Sequence, residues 1–367
     1  MNSKKLSVFG ASLAAIAAAT SLNAAPAFAQ DEENGGLEEI VVTAQRREES
    51  LQDVPLAITA FTEEDLERSA AVGIQDVAAR APGVTLTQFN IGEPQLYIRG
   101  VGTTSDSAAS DPSIGISIDE VSIGRTGASA LAFLDVNRVE VLRGPQGTLY
   151  GRNASGGALN VYTNRPVFEN GGHISVRAGS FDMYGAEGVY NAALGDNSAL
   201  RFAAQYNTNE GYAEYAPTGQ GLEGGTQWGA RAQYLTEMGD WSFLAGVDYS
   251  DEDMNGHARI PVTTAATNPI FTGIVNGLRT GLDIRQSFSS PDNYQTRTNY
   301  GVTFRAEHEG QNFDFVSLTS YRNNDYAWRD NLGGLPFPGF PLAVDDRAAE
   351  ASDQISQEFR LVSPDSS

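Results

Sequence analysis

Residues Arg138–Thr163 read RVEVLRGPQGTLYGRNASGGALNVYT. Val139, Val141 and Leu142 make a short β-prone run, and Gly144-Pro145 ends it because proline fixes φ and has no N–H for a ladder. A glycine-dense crossover follows, and Ala158–Tyr162 resumes as a second strand, the turn chemistry of a compact domain. The segment carries no nucleotide signature. No Lys-Ser/Thr pair closes a phosphate loop, and Gly151-Arg-Asn-Ala-Ser-Gly156 lacks the G-x-G-x-x-G spacing. The residues alone describe a structural strand–turn–strand.

Outward from it, residues 53–165 read as one small α+β domain. Val54–Phe61 is an expected strand; Thr62 before Glu63, Glu64 and Asp65 caps a helix whose first turn is acidic. Ile74–Ala79 forms a second helix stopped by Pro82-Gly83, and strands follow at 84–87, 95–99, 114–118, 138–142 and 158–162.

From His173 onward the pattern has period two. Trp241, Phe243, Ala245, Val247 and Tyr249 share one face, opposite Ser242, Gly246, Asp248 and Ser250. Alternation alone fits a soluble sandwich or a membrane barrel, whose apolar face meets lipid and whose polar face lines the lumen. Connection lengths choose between them. Eight strands are expected, at 173–180, 184–194, 198–208, 226–237, 240–250, 297–308, 312–322 and 353–362. The second-to-third, fourth-to-fifth and sixth-to-seventh connections are tight and the intervening ones long, the asymmetry of an outer-membrane barrel. Tyr184, Trp228, Trp241, Tyr249 and Tyr321 suit interfacial girdles, and Asp251-Glu252-Asp253 is expected in a solvated loop.

The 367 residues carry 46 acidic and 24 basic side chains, a net charge of −22, which disfavours nucleic acid as a partner. There is no cysteine, hence no disulfide or thiolate metal site, and His173, His257 and His308 are scattered. No nucleophile, base and orienter constellation suggests an enzyme, and no cofactor is implied. Met1–Ala29 reads as a cleaved signal peptide, with Lys4 and Lys5, an apolar run and Ala27-Phe28-Ala29; losing both lysines takes the charge from −22 to −24. Residues 31–39, DEENGGLEE, are acidic and expected to be disordered, and the apolar string Ile40-Val41-Val42-Thr43-Ala44 follows. So short a strand needs a neighbour, either the next domain or another protein's sheet edge.

Taken in order, VPLAITAF, APGV, YIRG, SIDEV and RVEVLRGPQGTLYG resemble the plug-domain pattern of TonB-dependent outer-membrane receptors, over about a hundred residues. EIVVTA resembles their TonB box. The resemblance implies a Gram-negative outer-membrane receptor that takes up a scarce nutrient such as a ferric siderophore, contacting outer-membrane lipid and energised by TonB and its inner-membrane complex. It implies a periplasmic segment at 30–52 with Ile40, Val41, Val42, Thr43 and Ala44 as the TonB-binding strand, a plug at 53–165 and a partial barrel at 166–367. Arg99 and Arg143 are the expected plug-to-barrel contacts, with Glu187, Glu307 and Glu358 as partners. Tyr212, Tyr215, Phe337 and Phe340, in the long loops 209–225, 251–296 and 323–352, are candidates for stacking on ligand. Barrels that hold a plug have about 22 strands, so eight predict an incomplete barrel and an N-terminal piece of a longer receptor. A passive porin or adhesin-like barrel is the alternative; it explains the strands and leaves the plug and box unexplained.

Overall fold

The computed structural model describes residues 40–47, 49–88, 94–103, 110–125, 133–260, 269–288, 292–331 and 345–363. The expected leader and acidic segment, residues 1–39, lie outside them, as do Phe337 and Phe340. Residues 40–367 form one compact unit.

The chain enters through two short strands, β1 (Val41–Val42) and β2 (Glu49–Ser50), paired antiparallel. Then come β3 (Ile58–Thr62), α1 (Glu63–Arg68) and α2 (Ile74–Arg80). The expected cap of α1 is present. The Thr62 side chain accepts from the Asp65 N–H, and Asp65 Oδ2 accepts in return from the Thr62 N–H, each at 3.2 Å. This reciprocal pair satisfies two orphan donors and stabilises the helix by about 1 kcal/mol. Ile74, Val77 and Ala78 give α2 its buried face.

The hairpin β4 (Val84–Gln88), β5 (Pro94–Ile98) and β6 (Val101–Gly102) forms a small antiparallel sheet. Next are β7 (Ile114–Ile118), β8 (Val121–Ile123), β9 (Val136–Arg143), a single helical turn α3 (Gly147–Tyr150) and β10 (Gly157–Thr163). The central sheet has the order β3-β9-β10-β7-β8, with β10 antiparallel to β9 and parallel to β7. Every residue of β10 is buried, as expected of a strand covered on both faces. Leu159 and Val161 join Val139 and Val141 in a core closed by α1 and α2.

A single eight-stranded antiparallel sheet follows: β11 (Gly171–Gly179), β12 (Met183–Gly195), β13 (Ser198–Asn209), β16 (Gly225–Met238), β17 (Trp241–Asn255), β19 (Tyr294–His308), β20 (Asp314–Asn331) and β21 (Asp345–Val362). Its strands pair in sequence order, leaving β11 and β21 at the edges of an open wall. The loop after β13 contributes β14 (Ala213–Tyr215) and β15 (Gln220–Leu222); the loop after β17 contributes α4 (Pro269–Arg279) and β18 (Gln286–Ser287). β14 pairs in parallel with β18, so these two loops are joined in one small sheet.

The eight strands stand where alternation placed them but run further toward the long loops. β17 continues to Asn255, so Asp251-Glu252-Asp253 lies in a ladder opposite Thr298, Arg297 and Thr296, which corrects the loop expected there. β20 and β21 likewise reach Asn331 and Asp345, shortening the loop expected at 323–352. A lumen face tolerates such polar residues, so polarity does not end a barrel strand as it ends a soluble one.

The outward face is apolar, with Val247, Val302 and Phe304 about half exposed. At the tight-turn end Trp241 stacks on Phe243 and His308; at the loop end Trp228 meets Tyr249, and Tyr300 meets Tyr321. Eight residues separate Trp241 from Tyr249, about 27 Å of strand, close to the roughly 25 Å apolar band between aromatic girdles.

Candidate functional site

The apolar string at 40–44 is seated on the N-terminal domain. Val42 and Ala44 are fully buried, in a cluster with Val54, Leu142 and Ala158. Beyond the two-residue β1–β2 ladder, side chains hold it. Thr43 N donates to Glu140 Oε1 at 2.9 Å, and the Tyr150 hydroxyl donates to the Ala44 carbonyl at 3.0 Å. Asn160 Nδ2 donates to the same hydroxyl at 2.9 Å, and Arg138 braces Glu140 at 2.9 Å and the Thr43 hydroxyl at 3.0 Å. Glu140 is completely buried. Desolvation raises its pKa despite the hydrogen bonds from Thr43 and Arg138. Burial also pushes the Tyr150 hydroxyl up to about 12.

The N-terminal domain meets the wall through two carboxylates. Asp135 receives Arg201 of β13 in a two-pronged contact, Nε at 2.7 Å and Nη2 at 2.6 Å. Glu120 receives Arg305 of β19 and, through both nitrogens, Arg360 of β21, with Arg360 Nη1 at 3.0 Å. Burial alone would raise the Glu120 carboxyl, but the hydrogen bond from Arg360 and the charges of Arg305, Arg360 and Arg46 hold it well below the usual carboxylate range. Both acids sit at positive φ: 69° at Glu120 and 52° at Asp135. Asp119 and Glu120 form the two-residue connection between β7 and β8, and both have positive φ, a position that favours Asn or Gly. Asp119 is fixed by the Thr163 N–H and hydroxyl, each at 2.8 Å. A non-glycine residue in this region costs about 1–2 kcal/mol, and the charge-assisted bonds offset it.

Contacts to main-chain carbonyls and amides, an apolar contact and the ion pair of Arg125 with Glu350 of β21 at 3.2 Å add to the seam. Arg231 donates to the Leu134 carbonyl at 2.8 Å, while the Leu134 side chain packs on Val189 and Ala203 of the wall. Gln354 of β21 accepts from Gly124 N at 3.1 Å and donates to the Ser122 carbonyl at 2.7 Å.

The residues expected at this seam are distributed differently. Arg143 donates to the Ala57, Ile58 and Pro82 carbonyls of its own domain, and Arg99 is exposed. Neither is brought together with Glu187, Glu307 or Glu358. Glu307 pairs with Arg305 and with Arg165 at 3.2 Å, and Glu358 with Arg360 at 3.0 Å. Glu187 lies beside Asp135. The seam thus carries both polarities: Glu120 and Asp135 of the N-terminal domain receive wall arginines, while Arg125 and Arg165 reach Glu350 of β21 and Glu307 of β19, each at 3.2 Å. Glu120 lay inside the SIDEV motif, and the signal that marks it is an acidic pair where a tight hairpin favours Asn-Gly.

Of the expected ligand contacts, Tyr212 is exposed and Tyr215 half-buried in β14. Arg297 of β19 pairs with Glu252 of β17 at 3.1 Å, and Arg259, in the loop after β17, pairs with Asp330 of β20.

Residues 50–158 match the family model described as the TonB-dependent receptor plug domain. Among solved structures, the ferric yersiniabactin uptake receptor FyuA from Yersinia pestis is 20% identical, with a TM-score of 0.70 over 85% of this chain and 46% of its own. P. aeruginosa FpvA, bound to heterologous pyoverdines, gives 18% and 0.70 over 88% and 41%. The ferric-catecholate import receptor Fiu from E. coli K12 gives 18% and 0.67 over 86% and 47%. The chain spans less than half the length of these receptors.

Proposed function

We propose that this chain, whose residues 50–158 match the TonB-dependent receptor plug domain and whose later strands fold as in the similar receptors, serves TonB-energised nutrient uptake across the outer membrane. A ferric siderophore is the first candidate cargo, since the similar receptors are described as taking up ferric yersiniabactin or ferric catecholates, or as bound to pyoverdines. In this reading Ile40–Ala44 is the docking strand for TonB, and the joined loops after β13 and β17 frame the outer ligand site.

The observation that carries the reading is the seating of Val42–Ala44. Its buried main chain is satisfied by the side chains of Glu140 and Tyr150 and by a two-residue ladder, outside the central sheet. Those groups are transferable to another sheet edge without opening the plug core, which is what docking by strand addition needs. The outer membrane sustains no ion gradient, so work has to arrive mechanically, and a releasable strand on the periplasmic side supplies the handle.

Deleting residues 40–44 tests this. Ferric siderophore still binds to cells but is no longer accumulated. Accumulation that survives the deletion favours a passive porin instead.

A further inference from the structure

Glu120 is approached from two sides. Arg305 and Arg360 reach it from the wall, and Arg46, two residues beyond the docking strand, reaches it from the arm. The three guanidinium groups are not equally served. Arg360 Nη1 bonds Oε1, while Arg305 Nη1 and Arg360 Nη2 bond Oε2, so both oxygens are engaged by the wall. Arg46 Nη1 stands off at 3.4 Å, and its Nη1 and Nε, both buried, make no hydrogen bond. Its remaining support is the Tyr150 ring, 4.6 Å from the guanidinium carbon. Arg46 also has a φ of 63°, a strained conformation for a residue with a side chain.

We propose that Arg46 and the wall arginines compete for Glu120, so that seating of the docking strand and clamping of the Glu120 hairpin to the wall oppose each other. A carboxylate oxygen surrendered by Arg305 or Arg360 meets unsatisfied donors on Arg46, and like-charge repulsion falls at the same time. The converse follows from reciprocity of coupling: drawing residues 40–47 away leaves Glu120 wholly to the wall. The hairpin β7–β8 then becomes the fixed point about which the rest of the plug rearranges under pull. The second lock, Asp135–Arg201, engages Asn164 within the plug and stands apart from this competition.

The inference rests on reading Ile40–Ala44 as the docking strand, and its test is independent of TonB. The chain has no cysteine, so Val42→Cys, at a fully buried position, reports unseating through its rate of maleimide labelling in isolated outer membranes lacking TonB. Glu120→Gln raises labelling, because Arg46 loses its one paired carboxylate among the described residues. Arg305→Gln and Arg360→Gln lower it, by about fivefold or more if the coupling has ordinary strength, and do nothing in a Glu120→Gln background. General loosening of the plug raises labelling in every variant, and Arg201→Gln serves as that control. The competition is overturned if Arg305→Gln and Arg360→Gln leave labelling unchanged or raise it, whatever deletion of 40–44 does to uptake.

Discussion

Glu140 is the residue whose removal reports most directly on how the Ile40–Ala44 string is held. Glu140→Ala deletes the acceptor of the Thr43 N–H and leaves that donor without a partner and Arg138 without its carboxylate. An unsatisfied buried donor costs about 1–3 kcal/mol. Relief of the buried carboxylate works the other way, since desolvation of Glu140 already opposes closure. The low end of that range is therefore expected, about 1.5 kcal/mol, or a tenfold rise in the unseated fraction. Glu140→Gln keeps an amide oxygen for Thr43 and drops the charge, so it seats the strand as well as the parent or better. Gln45-Arg46-Arg47 follows the strand directly and supplies the assay: Arg46, mostly buried when seated, becomes a trypsin site when unseated. Cleavage under brief, dilute trypsin tracks the open population, read by the mass of the new N-terminus. Equal cleavage in Glu140→Ala and the parent refutes the clasp. So does Glu140→Gln cleaving as fast as Glu140→Ala, which would assign the effect to charge rather than to the acceptor.

Other outcomes follow from the same contacts. Asp135→Ala leaves the Arg201 guanidinium, only 14% exposed, without its carboxylate; a loss of about 3 kcal/mol is expected in the urea stability of the plug, followed by hydrogen exchange. Gly157→Ala is more disruptive than its size suggests, because a Cβ there falls 2.4 Å from the Leu142 carbonyl oxygen at a φ of 153°; a drop above about 2 kcal/mol is expected, and protease resistance of the plug at parental level would count against it. The two buried glutamates respond oppositely to acid. The Glu120 pKa is lowered from 4.5, so its contribution is intact above that pH and is lost only well below it. The Glu140 pKa is raised from 4.5, so acidification through the range above 4.5 removes a penalty and strengthens seating. Slower exchange of the Thr43 amide than base catalysis alone dictates, as pH falls toward 5, should disappear in Glu140→Gln.

Local chemistry made much of this molecule legible in advance. The Thr62 cap, the stop at Gly144-Pro145 and the alternation from Trp241 to Tyr249 each depend on a few neighbouring residues, and the structure has them in place. The strand ends were less legible. Asp251 and Glu252 look like loop residues until Thr298 and Arg297 stand opposite them.

Sequence by itself determined the main strands and the first two helices, their order and the two faces of the wall, but not the small elements β14, β15, α4 and β18 inside the long loops, because propensity, capping and period-two patterning are properties of short windows. Only the tertiary structure decided which charges meet. Arg305 and Arg360 lie 185 and 240 residues from Glu120 and reach it through the register of the wall strands. Arg138–Thr163 contributes Glu140 and Tyr150 to the contacts that hold Thr43 and Ala44, yet nothing in that stretch marks them. A buried carboxylate is recognisable only once the chain that covers it is in place, since its role is set by desolvation and by partners remote in sequence.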